Sequence, residues 1–471
     1  MRFARLSLSS PNESALAVAV VATLGGGVAL AVLGAAGSNL PLTIAGGLVA
    51  GLALLLLLAA TWLDDLVLVA LSLPLPAFAS SESLRLAPVA GIAAAAVAAW
   101  VLRRAVTLRR VDLAGLPRKS IAGLMCAVLI SALFAQSRGS ALREVINMAF
   151  ILAFLVVATD QLARDRRRIQ MLVLLITGIM GVSGVLAGVQ ALGGLPSDFV
   201  LQGSRFQRAT LGFGWPNDLG IFMALGIPLC VYTYETARGR GPRFLALACL
   251  GAALLGLVAS FSRGSWLAVV ASTVVLLVAG QRRFVLRIWL GTLVAVLMIE
   301  VVTGGAIIGR VTSQIGGSFF DQRAALTLAG LLMFQAHPIV GVGPGGFGTA
   351  LDHYGAQIPW LWDYVGSAHN SYVHMAAETG LVGLIALLAF FAGGLLVLIR
   401  EARRMRKDAS VPEDVVRLHR ALLWSFAIAS AVGMVEWLFA HGVGELTMLI
   451  AAMGFALSRQ PAANGRAWRP A

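Results

Sequence analysis

The sequence predicts an all-α polytopic membrane protein of about 12–14 transmembrane helices. Three observations predict it. Apolar runs recur from one end of the 471-residue chain to the other. Charged residues make up 12% of the chain, where ordinary soluble domains carry roughly 25%. The mean hydropathy is +0.86. This composition excludes a cytosolic enzyme, a disordered chain and a nucleic-acid-binding domain.

A spanning helix needs about 20 mostly apolar residues. The first such runs lie at 14–36, 41–61, 66–80 and 86–102, rich in Ala, Leu, Gly and Val, and read as scaffold. The first has no small-residue cleavage site followed by a soluble domain, so it reads as a helix and not as a removed signal peptide. Runs at 120–136, 142–160, 169–192, 217–235, 244–261, 265–280 and 284–303 complete a bundle over residues 1–303. The pattern then breaks over 304–376, too long for a simple connection. Phe347, Tyr354, Trp360, Trp362 and several apolar stretches in that segment predict a folded lid with short helices, some at the membrane interface. The runs 377–399, 420–440 and 445–458, with a basic tail, make a C-terminal part over 377–471.

Arg and Lys set the orientation. With the N-terminus in the cytoplasm, 28 of the 36 basic residues fall on cytoplasmic segments. The positive-inside rule then puts both termini in the cytoplasm and the 304–376 loop in the periplasm. The net charge of +14 follows from that topology and from contact with anionic membrane lipids, and does not indicate nucleic acid. Cys126, Cys230 and Cys249 sit inside apolar runs, which argues against a disulfide framework or a cysteine zinc site.

The basic residues outside this pattern mark candidate chemistry. Arg205 and Arg208 precede a Gly-rich turn and Pro216-Asn217-Asp218, at the mouth of a membrane helix. Backbone N–H groups there favour an anion, although interfacial arginines also touch lipid phosphate. Arg263, in Ser262-Arg263-Gly264-Ser265-Trp266, stands between two apolar runs and either snorkels to headgroups or points into a cavity. Arg323 precedes a glycine-rich stretch from His337 to Gly348. That stretch lacks a Gly-Lys-Ser/Thr ending and a preceding strand, so it reads as a turn-rich loop and not as a nucleotide site. His369-Asn370 lies where the chain re-enters the membrane, with Glu378 nine residues on. Such a histidine is either structural or a proton acceptor near neutral pH. No carboxylate trio accompanies the histidines, which argues against zinc. Arginine forks suit a diphosphate, and His369 can deprotonate an attacking hydroxyl. An anionic-lipid or small-anion transporter is the rival class, with its polar groups near the membrane midplane.

In this order the motifs resemble the O-antigen ligase and O-antigen polymerase superfamily, over roughly residues 200–385. Arg208 with Gly212-Phe-Gly-Trp-Pro-Asn217, the Ser262-Arg263-Gly264 turn, and Arg323 with Pro338-Ile-Val-Gly341-Val-Gly343-Pro344-Gly345 carry it. His369-Asn370 followed by Gly380-Leu-Val-Gly383 completes it. The resemblance implies a membrane glycosyltransferase of the C type (GT-C-like). Its donor would be a glycan on undecaprenyl diphosphate. Its acceptor would be lipid A–core in a ligase, or a growing polysaccharide in a polymerase. It implies His369 as general base, Arg208, Arg263 and Arg323 on the diphosphate, inversion at the anomeric carbon, and no bound metal or cofactor. Arg205, Asn217, His337, Asn370 and Glu378 are secondary candidates.

Overall fold

The computed structural model describes residues 116–163, 166–195, 197–199, 206–303, 318–361, 366–439 and 443–458, with Val97 and Trp100. The first four predicted runs, apart from Val97 and Trp100, lie outside the described residues, as do Arg205, Trp362 and 304–317. The chain divides into two compact units, 1–72 with 87–111 and 73–86 with 112–471. The elements below belong to the second.

The described residues form helices and no strands. These are α1 (Arg118–Leu133), α2 (Arg138–Leu162), α3 (Arg166–Ala191), α4 (Pro216–Thr236), α5 (Arg240–Ala259) and α6 (Arg263–Val278). There follow α7 (Arg282–Thr303), α8 (Ser318–Ala336), α9 (Phe347–Gly355), α10 (Ser371–Lys407), α11 (Glu413–Val432) and α12 (Val443–Leu457). Every predicted run from 120–136 onward falls on one of them. Among the described residues, α2, α3, α4, α5, α10 and α11 are long and apolar enough to cross a membrane, and α6 and α12 are shorter apolar helices. The protein is an all-α, multi-pass membrane protein.

Packing follows from which helices are apolar all round. α4 and α11 are largely buried and pack on each other at the centre. α3 and α5 pair closely beside α4, α6 lies on α11, α12 on α2, and α1 on α10. Two predicted boundaries and one expected helix length are corrected. α11 stops at Val432, where Gly433 N bonds Ala429 O and Met434 N bonds Ala431 O, so 433–439 is a loop and not the end of a span 420–440. α10 begins at Ser371, before the predicted 377. Within 304–376 the helices are not all short: α8 has 19 residues and α9 nine. α8, α9, Ile358, Leu361 and Ala368 share a small core around Leu326, Met333, Phe347 and Leu351.

The helix ends sort into two groups. With 21 residues, α4 is about 30 Å long. At its Thr236 end, Arg417 donates to the Glu235 carbonyl (2.6 Å) and Arg420 pairs with the Glu235 carboxylate. Arg403 and Arg406, ending α10, donate to the carbonyls of Val278 (2.7 Å), Ala279 (3.2 Å) and Gly280 (2.7 Å), at the end of α6. Such bonds satisfy carbonyls that a helix C-terminus leaves without partners. The basic segments 238–243, 282–287 and 400–420 thus gather at one end of the bundle. The Pro216 end of α4, the α5–α6 turn and the start of α10 lie at the other.

α10 is broken at Gly380, whose φ of 67° and ψ of −162° are open to glycine alone. A broken helix in an apolar setting must find new partners for its backbone. The glycine-rich loop supplies them: Val342 N bonds Ala377 O (2.9 Å), Gly343 N bonds Glu378 O (3.0 Å) and Leu381 N bonds Pro338 O (2.8 Å). Ser131 of α1 donates to Val340 O (2.6 Å) or Glu378 O (2.7 Å). A Cβ on Gly380 would overlap the Ile339 carbonyl oxygen. Gly380→Ala is therefore expected to destabilise the protein by at least about 2 kcal/mol. Thermal unfolding of the detergent-solubilised variant checks this against Gly241→Ala, whose added methyl meets nothing within 4 Å.

Candidate functional site

The loop between α11 and α12 carries Glu436, a buried carboxylate that gathers the predicted residues around it. His369 Nδ1 lies 2.7 Å from its Oε2. Arg323, in the second turn of α8, donates through Nη2 to Oε1 and through Nη1 to the Val435 carbonyl (2.9 Å). Asn217, in the first turn of α4, donates from Nδ2 to Oε1 (2.7 Å). Arg208 donates from Nη2 to Asn217 Oδ1 (3.1 Å) and from Nε to the Ser260 carbonyl (3.2 Å). One hydrogen-bond network thus joins Arg208, Asn217, Glu436, Arg323 and His369 across four chain segments.

Arg263, the first residue of α6, stands close enough to Arg323 for each guanidinium to feel the other's charge. The turn bearing it packs on the start of α4 at Gly220, where a Cβ would meet Ser262, Ser260 and Ser265 side chains at 2.7–2.8 Å. Asp218, the next residue after Asn217, is buried beside Glu436, and its Oδ2 has no hydrogen-bond partner.

The backbone of the site is strained. The non-glycine residues with positive φ among the described residues are Leu211 (45°), Phe261 (48°) and His369 (47°). Leu211 follows Arg208, Phe261 lies between Ser260 and Arg263, and His369 bears the imidazole itself. Each such conformation costs on the order of 1–3 kcal/mol and persists where the surroundings enforce it. At His369 the enforcement is visible. Ser371 N donates to Gly433 O (2.7 Å), Ser371 Oγ to Glu436 O (2.6 Å), and Leu438 N to Ser371 Oγ (3.0 Å). These bonds stitch the start of α10 to the loop that holds Glu436.

Electrostatics define the protonation pattern. Burial pushes the Glu436 carboxyl up, but the hydrogen bond from His369 and the charges of Arg323 and His369 outweigh it and hold the group below its ordinary value of 4.5. An ionised Glu436 only accepts, so the hydrogen between it and the ring sits on Nδ1. In the neutral ring Nε2 then carries the lone pair. The ring is 27% exposed and the Arg323 side chain 29%, so neither is sealed off by the surrounding protein. The site therefore offers a proton acceptor of fixed tautomer beside a cluster of guanidinium groups.

The secondary candidates separate. Asn217 belongs to the network. Asn370 caps α10, accepting from Tyr372 N (3.0 Å) and Val373 N (3.1 Å). Glu378 turns to the glycine-rich loop, accepting from Gly345 N (2.9 Å) and Phe347 N (3.0 Å). His337 follows the far end of α8, about 20 Å along the helix from Arg323. Glu436, the hub, is absent from the sequence reading because it lies inside the apolar run 420–440. Among the described residues no three His, Cys, Asp or Glu side chains gather as a metal-binding group.

Residues 245–388, roughly a third of the chain, match the family described as O-Antigen ligase. That stretch of the chain is thus similar to an O-antigen ligase domain. The matched residues include Arg263, Arg323 and His369. Arg208, Asn217 and Glu436 lie outside them and join the site through the contacts above. No curated protein matches the chain.

The depressed Glu436 ionisation makes a stability prediction. Its contribution is fully present above the unfolded carboxylate value of about 4.5 and is lost as pH falls through the lower folded value. Denaturant unfolding of wild type and Glu436→Gln should therefore differ most near neutrality. The gap should narrow as pH drops below about 4.5. A gap that stays constant down to strongly acid pH contradicts the assignment.

Proposed function

We propose that the protein is an O-antigen ligase-type glycosyltransferase. It moves a glycan from undecaprenyl diphosphate to an acceptor hydroxyl, on lipid A–core or on a growing polysaccharide. The observation that carries this reading is the pairing of His369 with an ionised Glu436 in the same network as Arg208 and Arg323.

In the reaction, His369 Nε2 takes the proton of the acceptor hydroxyl as its oxygen attacks the anomeric carbon. The bond from that carbon to the diphosphate oxygen breaks, and its electron pair leaves with the diphosphate. Attack opposite the leaving group inverts the anomeric centre. Glu436 holds the ring by Nδ1 and stabilises the imidazolium that forms. Arg208, Arg263 and Arg323 neutralise the charge that grows on the leaving diphosphate. Two of the five N–H donors of Arg323 engage Glu436 and Val435, and a guanidinium of that geometry still presents others to phosphate oxygens.

The arrangement also supports the orientation. The basic segments at the far end of the bundle belong in the cytoplasm by the positive-inside rule, with both termini. The site then faces the periplasm from the bacterial inner membrane, with residues 304–376 as its lid. Site residues in loops and in the first two turns of helices favour an interfacial enzyme over a transporter, whose polar groups belong near the midplane.

His369→Ala should abolish glycan transfer while leaving capture of the lipid diphosphate within a few-fold of wild type. Arg208→Ala should lower turnover by about 10²–10³-fold, the effect of losing a donor to a developing negative charge. Transfer assays with purified protein and an undecaprenyl-diphosphate-linked glycan, run without any membrane gradient, measure both. Near-normal turnover in His369→Ala refutes the general-base role. Cells lacking the protein should accumulate unligated lipid-linked polymer; single lipid-linked repeat units would identify a polymerase instead.

A further inference from the structure

Beneath the site lies a second buried ionisable pair. Glu378 is 4% exposed and His374, one helical turn before it on α10, is also 4% exposed. His374 Nε2 stands 3.4 Å from Glu378 Oε1. With its Nε2 hydrogen directed at Glu378, His374 keeps Nδ1 as an acceptor, and Ala368 N donates to it (3.4 Å). The ring lies 4.1 Å from the Trp437 ring and 5.0 Å from Phe347. Glu144 of α2 is the other acid acting on this pair.

Ala368 immediately precedes His369, and Trp437 immediately follows Glu436. One imidazole therefore touches the neighbours of both members of the His369–Glu436 pair. It does so where His369 holds a strained φ of 47° that needs enforcement from its flanks. Glu378 in turn is fixed by Gly345 N and Phe347 N of the glycine-rich loop. We propose that Glu378 and His374 form a positioning clamp that sets the His369 ring against Glu436, fastened by the glycine-rich loop. The clamp touches no substrate. Its catalytic consequence rests on the transfer reading above, while its structural consequence does not.

Chemical modification reads the structural consequence alone. Diethyl pyrocarbonate acylates accessible imidazole, and mass spectrometry gives the rate at each histidine of the full-length protein. His374→Phe keeps an aromatic ring against Trp437 but removes both nitrogens. Glu378→Gln removes the charge. Both are expected to speed modification of His369 several-fold, toward the rate in Glu436→Gln. Exposed His353 should keep its wild-type rate, and buried His419 should stay unmodified. His374→Asn, which restores an acceptor for Ala368 N, should recover part of the protection. In the transfer assay the first two variants should lose turnover by about 10–100-fold with the donor KM unchanged within about twofold.

An unchanged His369 rate in both variants overturns the proposal. So does modification of His419 in both, which would mean that the pair supports the whole fold and not the site. If wild-type protein shows no glycan transfer, the transfer reading fails, and the modification rates still decide the clamp.

Discussion

The structure of the site depends on the burial of one carboxylate. An ionised Glu436 at 7% exposure is costly to remove from water and stays charged only with several partners. His369, Arg323 and Asn217 bind its carboxylate oxygens, and Ser371 binds its carbonyl. These partners come from the starts of α4 and α10 and from the second turn of α8. Satisfying a single charge therefore draws three helix ends onto the α11–α12 loop. The same bonds fix the imidazole tautomer, so the requirement that organises the fold here also prepares the chemistry.

The proposed function places the donor diphosphate where cationic side chains are concentrated. Arg208, Arg263 and Arg323 converge on one side, and Arg263 and Arg323 act on each other unfavourably. Glu436 is shared between a guanidinium and an imidazole, and Asp218 contributes a carboxyl oxygen with no hydrogen-bond partner. Under the proposed function, a diphosphate bound here would offset the repulsion between Arg263 and Arg323. Strain at Leu211, Phe261 and His369 has the same distribution. It is concentrated in the segments that deliver Arg208, Arg263 and the imidazole, the usual sign of a preorganised site.

Much of this was legible in the sequence, for identifiable reasons. Apolar runs locate helices because a membrane span has to be continuously apolar, and each run from residue 120 onward met one. His369, Arg208, Arg263 and Arg323 stood out because a charged or titratable group at the edge of an apolar run is expensive and therefore noticeable. Glu436 escaped for the opposite reason. One acid between Val435 and Trp437 does not break a hydrophobic pattern, and the helix end at Gly433 that frees it depends on tertiary bonds from Ser371. Glu378 was noticed but its use was not. Spacing from His369 says nothing of the backbone N–H groups that a loop 33 residues earlier brings to it.

That loop shows why glycine content alone misleads. A phosphate cradle and a plug for a broken membrane helix ask the same thing of the chain: backbone N–H groups brought close, with no side chain in the way. The N–H groups of Val342, Gly343, Gly345 and Phe347 are directed at Ala377 O, Glu378 O and the Glu378 carboxylate. Those of Val342 and Gly343 satisfy the break at Gly380, which in an apolar environment has no water to turn to, and those of Gly345 and Phe347 satisfy the buried Glu378 carboxylate. The break in turn leaves the first two turns of α10 as a separate rigid piece, pinned by the loop on one side and by residues 433–438 on the other. His369 sits at the end of that piece. A glycine-rich segment whose N–H groups are engaged by α10 thus holds the piece of helix next to His369 in place.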